Sequence, residues 1–249
     1  MPTSKNSRPL PKKKPPAKKR WKAAPSKRSA ISATRNKAPV AKVLELLEEF
    51  YPGAHCELRH ETPFQLLIAT VLSAQCTDVL VNKVTPALFK RFPNAKSLAK
   101  GDPGEIENLV KSVNLFRTKA KNIRSLAQTL IEKHKGEVPR TAEELVELAG
   151  VGRKTANVVL GNAFNIASGI VVDTHVARLS GRFGWTASSN PVQIEKDLQK
   201  LIPQDRWVRF SHELIFHGRR ICKARNPGCE SCFLLSVCPR LGVDDELAS

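Results

Sequence analysis

The most informative stretch of the chain reads Leu148-Ala149-Gly150-Val151-Gly152-Arg153-Lys154-Thr155. Two glycines separated by one residue allow a positive φ and leave the backbone N–H groups unobstructed. A helix that begins directly after Gly152 would aim its own N–H groups and its dipole at the same place. The stretch therefore predicts an anion-binding turn suited to a DNA phosphate, and an ordinary corner between two helices stays open as the alternative.

A nucleotide-binding P-loop is excluded at this position, because that motif places lysine directly after its last glycine and follows a strand. Here Arg153 separates Gly152 from Lys154. As an ammonium, Lys154 would contact phosphate. As a free amine it would be a nucleophile, and we expect burial, the helix terminus and the charge of Arg153 to favour that form.

A carboxylate ends the short apolar run Val171-Val172-Asp173. Asp173 stands where a helix should begin, and an N-cap role would fix the position of its carboxylate. The six histidines show no metal-ligand spacing. We expect His175 and His212 to satisfy local hydrogen bonds.

The remainder of the body has helical spacing. An apolar stripe runs from Val43 to Phe50, and residues 64–72 are apolar on every face, as in a buried central helix. Signals for helix starts stand at Thr62-Pro63, where Gln65 completes a capping box, and at Asp102-Pro103, Thr141 and Asn190-Pro191. Only residues 169–172 look extended, and one strand makes no sheet. The sequence predicts an all-α fold of about ten helices.

Four of the six cysteines crowd together near the C-terminus with the spacing C-x6-C-x2-C-x5-C. They are Cys222, Cys229, Cys232 and Cys238. Disulfides account poorly for them, because nothing else in the sequence indicates an oxidising compartment. Zinc sites favour two tight pairs and here only the middle pair is tight, so the spacing favours a [4Fe–4S] cluster over zinc. Cys56 and Cys76 stand alone, and buried apolar positions are expected for both.

Positive charge is concentrated at the N-terminus. The formal net charge is +18, and residues 1–40 hold 13 Lys+Arg and no acidic residue, which leaves 28 basic and 23 acidic residues in the remainder. Residues 1–40 are therefore predicted to be a disordered basic tail that binds polyanions, serves as a localisation signal or acts as a solubilising leader. Lys223 and Arg225 add positive charge to the first cysteine loop, either as a phosphate clamp or as a solvated surface. No apolar run approaches the roughly 18–20 residues that cross a bilayer, and no secretory signal is recognisable.

Taken in order, the hairpin at residues 148–155, the run Val172-Asp173-Thr174-His175 and the four spaced cysteines resemble the endonuclease III family. This is the iron–sulfur branch of the helix–hairpin–helix DNA glycosylases and AP lyases. The resemblance covers residues 41–240 and includes the runs at 72–78 and 81–83. It implies a bifunctional enzyme of base excision repair, which removes oxidised pyrimidines from duplex DNA through a lysine Schiff base and cuts 3′ to the abasic site by β-elimination.

The resemblance also implies residue roles. Lys154 matches the nucleophile, and Asp173 matches the catalytic aspartate. The four spaced cysteines match the ligands of a [4Fe–4S] cluster. Gln75 and Leu115 match the positions that fill the gap left by an extruded nucleotide. The implied contacts to the DNA backbone are those of Gly150, Val151, Gly152, Arg153, Lys223 and Arg225.

The implied fold has two helical lobes with DNA in the cleft between them. Residues 56–167 would form a six-helix barrel with the helix–hairpin–helix motif, and residues 41–55 with 168–240 would form a discontinuous iron–sulfur domain. Three positions depart from the family pattern. Ala149 replaces the usual proline, Asn114 replaces a common glycine, and Pro86 predicts a kink or a new helix start inside a helix.

Several readings stay open. A pyrimidine-dimer glycosylase would use the same groups, whereas the mismatch-adenine branch usually lacks the lysine and carries a further C-terminal domain. A non-enzymatic iron–sulfur DNA-binding module and a zinc-stabilised binder are the alternatives from other classes. The expected partner is damaged double-stranded DNA, with no membrane, and the expected state is a monomer. The expected location is the cytoplasm or nucleoid of a bacterium, or the nucleus or an organelle of a eukaryote.

Overall fold

The computed structural model of this protein describes residues 37–243, and these residues contain helices and no β-strand. The predicted all-α class is confirmed for this part of the chain. A turn of 3₁₀-helix, Gln204–Arg206, precedes the last α-helix. The α-helices are α1 Val40–Phe50, α2 Pro63–Ser73, α3 Asp78–Arg91, α4 Ala95–Ala99, α5 Pro103–Val110, α6 Phe116–His134, α7 Ala142–Val146, α8 Arg153–Phe164, α9 Thr174–Arg182, α10 Pro191–Gln199 and α11 Trp207–Arg220.

The predicted basic tail, residues 1–40, lies outside the described residues for most of its length. Ala38, which the sequence assigned to the tail, is part of the folded body. Its side chain is buried, its N–H donates to the carbonyl of Phe183, and its own carbonyl accepts from Nε1 of Trp185. The packed chain thus begins before α1.

The helix starts follow the capping signals in the sequence. Thr62, Asp102, Thr141 and Asn190 each accept a hydrogen bond from a backbone N–H two or three residues later. Each bond satisfies an N–H that the helix itself leaves without a partner. In a capping box, the side chain of Gln65 would accept from the backbone N–H of Thr62. Here Oε1 of Gln65 accepts instead from the backbone N–H of Glu61, one residue earlier, at 2.8 Å.

Buried apolar side chains form two clusters. The first lies within residues 58–160 and includes most of α2, which is buried on nearly every face as predicted. The second joins residues 38–51 to residues 170–234. Burial of one large apolar side chain stabilises a fold by roughly 1.5–3 kcal/mol, so clusters of this size hold their helices in fixed positions. Helix α8 of the first cluster contacts α11 of the second, and this contact brings the two clusters together.

Two expectations about single helices can be compared with the structure. Helix α3 continues through Pro86, so the alternative of a new helix start there is wrong, and the kink stays a prediction. Within residues 37–243, no helix combines the length and apolar character that crossing a membrane requires.

Candidate active site

A cavity of about 360 Å³ lies where α2, α8, α9 and α11 approach one another. The two chemically important side chains of the sequence analysis, Lys154 and Asp173, both line it. Lys154 comes from the first turn of α8 and Asp173 from the residue before α9. Positions that are 19 residues apart in the chain therefore face one space, because the N-termini of two helices open on the same cavity.

Lys154 differs from expectation in its exposure. Burial would favour its free amine, but the side chain is exposed. The second expected influence is also weakened, since the guanidinium of Arg153 is paired with Glu195 through a 2.8 Å contact from Nε to Oε2. Removal of water from Lys154 must therefore come from a bound substrate.

Asp173 is the N-cap of α9, as predicted. Its Oδ1 accepts the backbone N–H groups of His175 and Val176, both at 2.8 Å. These bonds fix the carboxylate at the edge of the cavity. Because Oδ1 takes both of them, Oδ2 has no hydrogen-bond partner among the described residues and is available to a substrate.

The hairpin between α7 and α8 leaves backbone N–H groups open at the N-terminus of α8. Gly150 adopts a positive φ of 79°, which favours glycine. No side chain caps Gly152, and a Cβ at that position would meet no atom within 4 Å. The side chain of Val151 is buried and its N–H donates to the carbonyl of Leu148 at 3.0 Å, so the open N–H groups are those of its neighbours. The open N-terminus with unobstructed N–H groups can bind an anion.

Arg153 belongs to a buried polar network behind the hairpin. The carboxylate of Glu195 accepts from Nε of Arg153 and from Nδ2 of Asn157, and Oδ1 of Asn157 accepts from the hydroxyl of Ser168 at 3.0 Å. Glu195 is 4% exposed, and an unpaired carboxylate at such a depth would be costly. The network fixes the start of α8 to α10, and the sequence offered no local signal for it.

Gln75 and Leu115 lie in two loops that contact each other. Both residues have left-handed backbone conformations, with φ of 54° and 56°, and both side chains are exposed. Leu115 is 62% exposed. Nδ2 of Asn114 donates to the carbonyl of Gln75 at 2.8 Å. The asparagine at the position of a common family glycine thus connects the two loops.

Lys119 follows the Leu115 loop and binds the backbone just before Gln75, so it also joins the two loops. It was not among the residues identified from the sequence. The side chain is 5% exposed, and its Nζ donates to the carbonyls of Leu72 and Ala74 at 2.8 and 2.6 Å. These carbonyls lie at the C-terminal end of α2, where a cation is favoured by the helix dipole. Burial lowers the pKa of Lys119, while the nearby Cys76 raises it. Lys119 is the third residue after Phe116 in a helix rich in lysine, so its sequence does not distinguish it from its exposed neighbours.

The four spaced cysteines line one further cavity, together with Arg182 and His217. Within residues 37–243 no group of three or more His, Cys, Asp or Glu side chains has the spacing of a single-ion site. The pKa of Cys232 is raised to about 12 and that of Cys238 to about 11, mainly by burial and also by the other cysteines of the set. Such mutual effects require that the sulfur atoms be near one another.

Arg182 supports the loop that follows Cys222. Its Nη1 donates to Sγ of Cys222 at 3.1 Å and to the carbonyl of Lys223 at 2.8 Å. The side chains of Lys223 and Arg225 are exposed on this loop. The loop is thus fixed from the inside, while two cations remain accessible on its surface.

Two groups of residues differ in part from expectation. His175 makes a local hydrogen bond with Arg178 as predicted, whereas His212 bonds to Oδ1 of Asn162, which is 50 residues away in the chain. Cys56 and Cys76 pack against the first apolar cluster but are only half-buried, and both line the cavity that contains Lys154, so the expectation of buried apolar positions is confirmed in part. They lie in the loops before and after α2, and the ends of a buried helix reach the protein surface.

Comparisons with known proteins agree with this geometry. Residues 68–204 match the model of the HhH-GPD superfamily base excision DNA repair proteins. The chain is 55% identical over 203 residues to endonuclease III of Synechocystis sp., a match that covers 82% of this chain and 93% of the relative.

Two solved structures are also similar. One is a trapped endonuclease III–DNA covalent intermediate, 46% identical, with a TM-score of 0.76 over 80% of this chain and 95% of the other. The second is a non-covalent endonuclease III–DNA complex, 48% identical, with a TM-score of 0.76 over 80% of this chain and 93% of the other. With its helix–hairpin–helix motif and its two facing helix N-termini, the chain belongs to the HhH-GPD superfamily of base excision DNA repair proteins, in the endonuclease III family.

Proposed function

We propose that this protein is a bifunctional DNA glycosylase and AP lyase that removes oxidised pyrimidines from duplex DNA. The observation that carries the proposal is the shared cavity, in which an amine from α8 and a carboxylate from α9 face one space. The similar solved structures, of which one is a covalent intermediate with DNA, support the reaction type. A nucleotide must leave the helical stack to reach the cavity, which costs a few kcal/mol, roughly.

Lys154 is the nucleophile of the proposed reaction. Its uncharged Nζ attacks C1′ of the deoxyribose, and the bond between C1′ and the base breaks with its electron pair leaving on the base. The nitrogen then loses a proton as the sugar ring opens to a Schiff base. This imine acidifies the hydrogens at C2′, so loss of one of them expels the 3′ phosphate and cuts the strand. The base takes up a proton as it leaves.

Asp173 stabilises the positive charge that develops on the sugar as the base departs. The fixed Oδ1 and the accessible Oδ2 suit this role, because a carboxylate already in position needs no reorganisation during the reaction. Oδ2 can also accept and return protons at the sugar.

DNA binding is proposed for the hairpin and for the two loops at its side. Backbone N–H groups of Gly150 and Gly152 and of the first turn of α8 bind a phosphate, while Val151 shapes the turn through its own N–H bond to the carbonyl of Leu148. The guanidinium of Arg153 is paired with Glu195 through Nε, but its side chain is 55% exposed and can also contact the phosphate. Gln75 and Leu115 enter the gap that the extruded nucleotide leaves. Their exposed side chains and the contact between their loops support this role.

Lys223 and Arg225 are proposed to contact the phosphate backbone from the cysteine loop. Their exposure and the rigid support from Arg182 agree with this role. Two other cations of the region are already engaged. Arg219 pairs with Glu57 and Asp78, and Arg220 lies 4.4 Å from the ring centre of Phe216.

We also propose that Cys222, Cys229, Cys232 and Cys238 bind a [4Fe–4S] cluster. Four thiols on one cavity fit a cluster, and the guanidinium of Arg182 beside Sγ of Cys222 would stabilise bound thiolates. When bound, the cluster would supply structural support to the loop that carries Lys223 and Arg225. No electron transfer is needed for base release.

Iron content tests this cofactor. We expect about four iron atoms per chain in the purified protein and their loss in Cys232→Ala, because a missing thiolate opens the cluster to solvent. Cys56→Ala, a cysteine outside the set, should keep the iron. One zinc ion per chain in place of iron would contradict the proposal.

Base release from a set of duplexes tests the function. The protein should release dihydrouracil and thymine glycol, cut the strand on the 3′ side, and leave an undamaged duplex intact. Cutting of only a duplex that contains a cyclobutane dimer would assign the chain to pyrimidine-dimer repair. Tight binding with no release would make it a binding module.

The domain boundaries at residues 56 and 168 stay a prediction, which the division of buried residues between two clusters supports. The monomeric state and the cellular compartment also stay predictions. The relative from Synechocystis sp. is bacterial, which favours action at the nucleoid.

A further inference from the structure

The cavity extends along α8, away from Lys154 toward His212 of α11. Lys154 and Val158, one helical turn apart, both line it, and Asn162 follows one turn later. Eight residues of α-helix span about 12 Å. His212 lines the cavity and contacts Asn162, so its ring lies about two turns deeper than the exposed Lys154. A base displaced from a sugar at Lys154 has this part of the cavity available to it.

A hydrogen-bond chain determines which nitrogen of His212 carries the proton. Nδ2 of Asn162 donates to the carbonyl of Val158 at 2.8 Å, which orients the amide so that its Oδ1 faces His212. Nε2 of His212 lies 2.8 Å from that oxygen, which can only accept. Nε2 is therefore the donor, and the neutral ring has its lone pair at Nδ1.

Nδ1 of His212 is free to bind a ligand. It makes no hydrogen bond to the described residues, and it is not among their buried polar atoms without a partner, so it reaches open space. The pKa of His212 is lowered to about 4, mainly by burial and also by the charge of His55, while Asp78 opposes both. The ring is neutral at physiological pH, and Nδ1 acts there as an acceptor.

The hydroxyl groups nearby on α2 are also acceptors only. Thr70 donates its hydroxyl hydrogen to the carbonyl of Leu66 at 2.7 Å, and Ser73 donates its own to the carbonyl of Thr70 at 2.9 Å. Both residues line the cavity. With their hydrogens engaged inside the helix, Thr70 and Ser73 cannot donate to a ligand without losing these bonds. Together with Nδ1 of His212, the cavity favours a ligand whose edge carries N–H donors.

We propose that Nδ1 of His212 accepts a hydrogen bond from the extruded base, from the imide N3–H of a damaged uracil or thymine ring. The inference rests on the proposed function and names a specificity-determining residue for it. An imide ring satisfies the acceptor, whereas a ring without this donor leaves it unpaired. A buried acceptor without a partner is costly, so the contact selects for the donor.

Two substitutions of His212 separate this contact from a structural role. The amide of glutamine reaches the position of Nε2 and keeps the bond to Asn162, while it offers no acceptor at Nδ1. The amide of asparagine reaches the position of Nδ1 and keeps that acceptor. With a dihydrouracil duplex in single turnover, His212→Gln should release the base roughly 10- to 100-fold more slowly than wild type. His212→Asn should lie closer to wild type.

Strand cutting at a preformed abasic site is the internal control, because that substrate has no base to contact. It should proceed at the wild-type rate in both variants. Methylation of N3 on dihydrouracil should slow the wild type by a similar factor and should slow His212→Gln much less. The methylated substrate tests the contact with the wild-type enzyme even where a variant folds poorly.

Four results would overturn the inference. Equal losses in base release and in abasic-site cutting would give His212 a structural role. An unchanged rate on the N3-methylated base would place the contact elsewhere. Absence of both activities from the wild type would contradict the proposed function itself, and the inference with it, whereas an active wild type with an unaffected His212→Gln contradicts the inference alone.

Discussion

Lys154→Ala should lower the single-turnover rate of base release by about 10⁴-fold or more and stop strand cutting at abasic sites. Alanine has no amine to attack C1′, so the base is not displaced and no imine forms. The fold should be unaffected, because the side chain is exposed and a cation in the first turn of a helix is disfavoured by the dipole. Rapid quenching and gel analysis of a labelled dihydrouracil duplex provide the rates.

Lys121→Ala is the matched control for this experiment. Lys121 is also an exposed helical lysine, and it lies on α6 beside a different cavity. It should keep the wild-type rate. Base release by Lys154→Ala at a rate near that of Lys121→Ala would remove Lys154 from the reaction. Loss of DNA binding without a change in the rate at saturating enzyme would make it a phosphate contact instead.

Asp173→Asn should slow base release by about 10²- to 10³-fold, the range found when a group that stabilises transition-state charge is lost. Asparagine keeps an Oδ1 that can accept the N–H groups of His175 and Val176, so the start of α9 should persist. The thermal midpoint of this variant should therefore stay close to that of the wild type. This substitution removes only the negative charge, so the change in the rate of base release measures the contribution of that charge to catalysis.

Asp173→Ala separates the two roles of this side chain. It lacks both the charge and the cap, so it should lose a similar factor in rate and in addition about 1 kcal/mol of unfolding free energy. Urea titration of the three proteins measures the second quantity. Base release by Asp173→Asn at the wild-type rate would contradict the role in stabilising charge. Equal stability of Asp173→Ala and wild type would contradict the role as a helix cap.

The fold could be predicted where its signals are local. The caps at Thr62, Asp102 and Asn190 are single residues at fixed offsets from the N–H groups they satisfy, so the sequence alone identifies them. Asp173 was found in the same way, from its position between an apolar run and a helix. The hairpin before Lys154 could be predicted because two glycines separated by one residue allow the positive φ of a tight turn.

Long-range polar contacts could not be predicted. Lys119 binds carbonyls 45 and 47 residues earlier, and Glu195 binds Arg153 at a separation of 42 residues. Nothing in the local sequence distinguishes a buried lysine from its exposed neighbours on the same helix. The exposure of Lys154 could not be predicted for a related reason, since burial depends on how the two apolar clusters meet and not on the residues beside it in the chain.

Covalent trapping tests the central assignment most directly. The wild-type protein is mixed with a dihydrouracil duplex in the presence of borohydride, which reduces an imine to a stable amine, and the digested adduct is sequenced by mass spectrometry. The sugar remnant should be attached to Nζ of Lys154. Attachment to Lys119 or to any other amine, or base release with no adduct formed, would contradict Lys154 as the nucleophile of this enzyme.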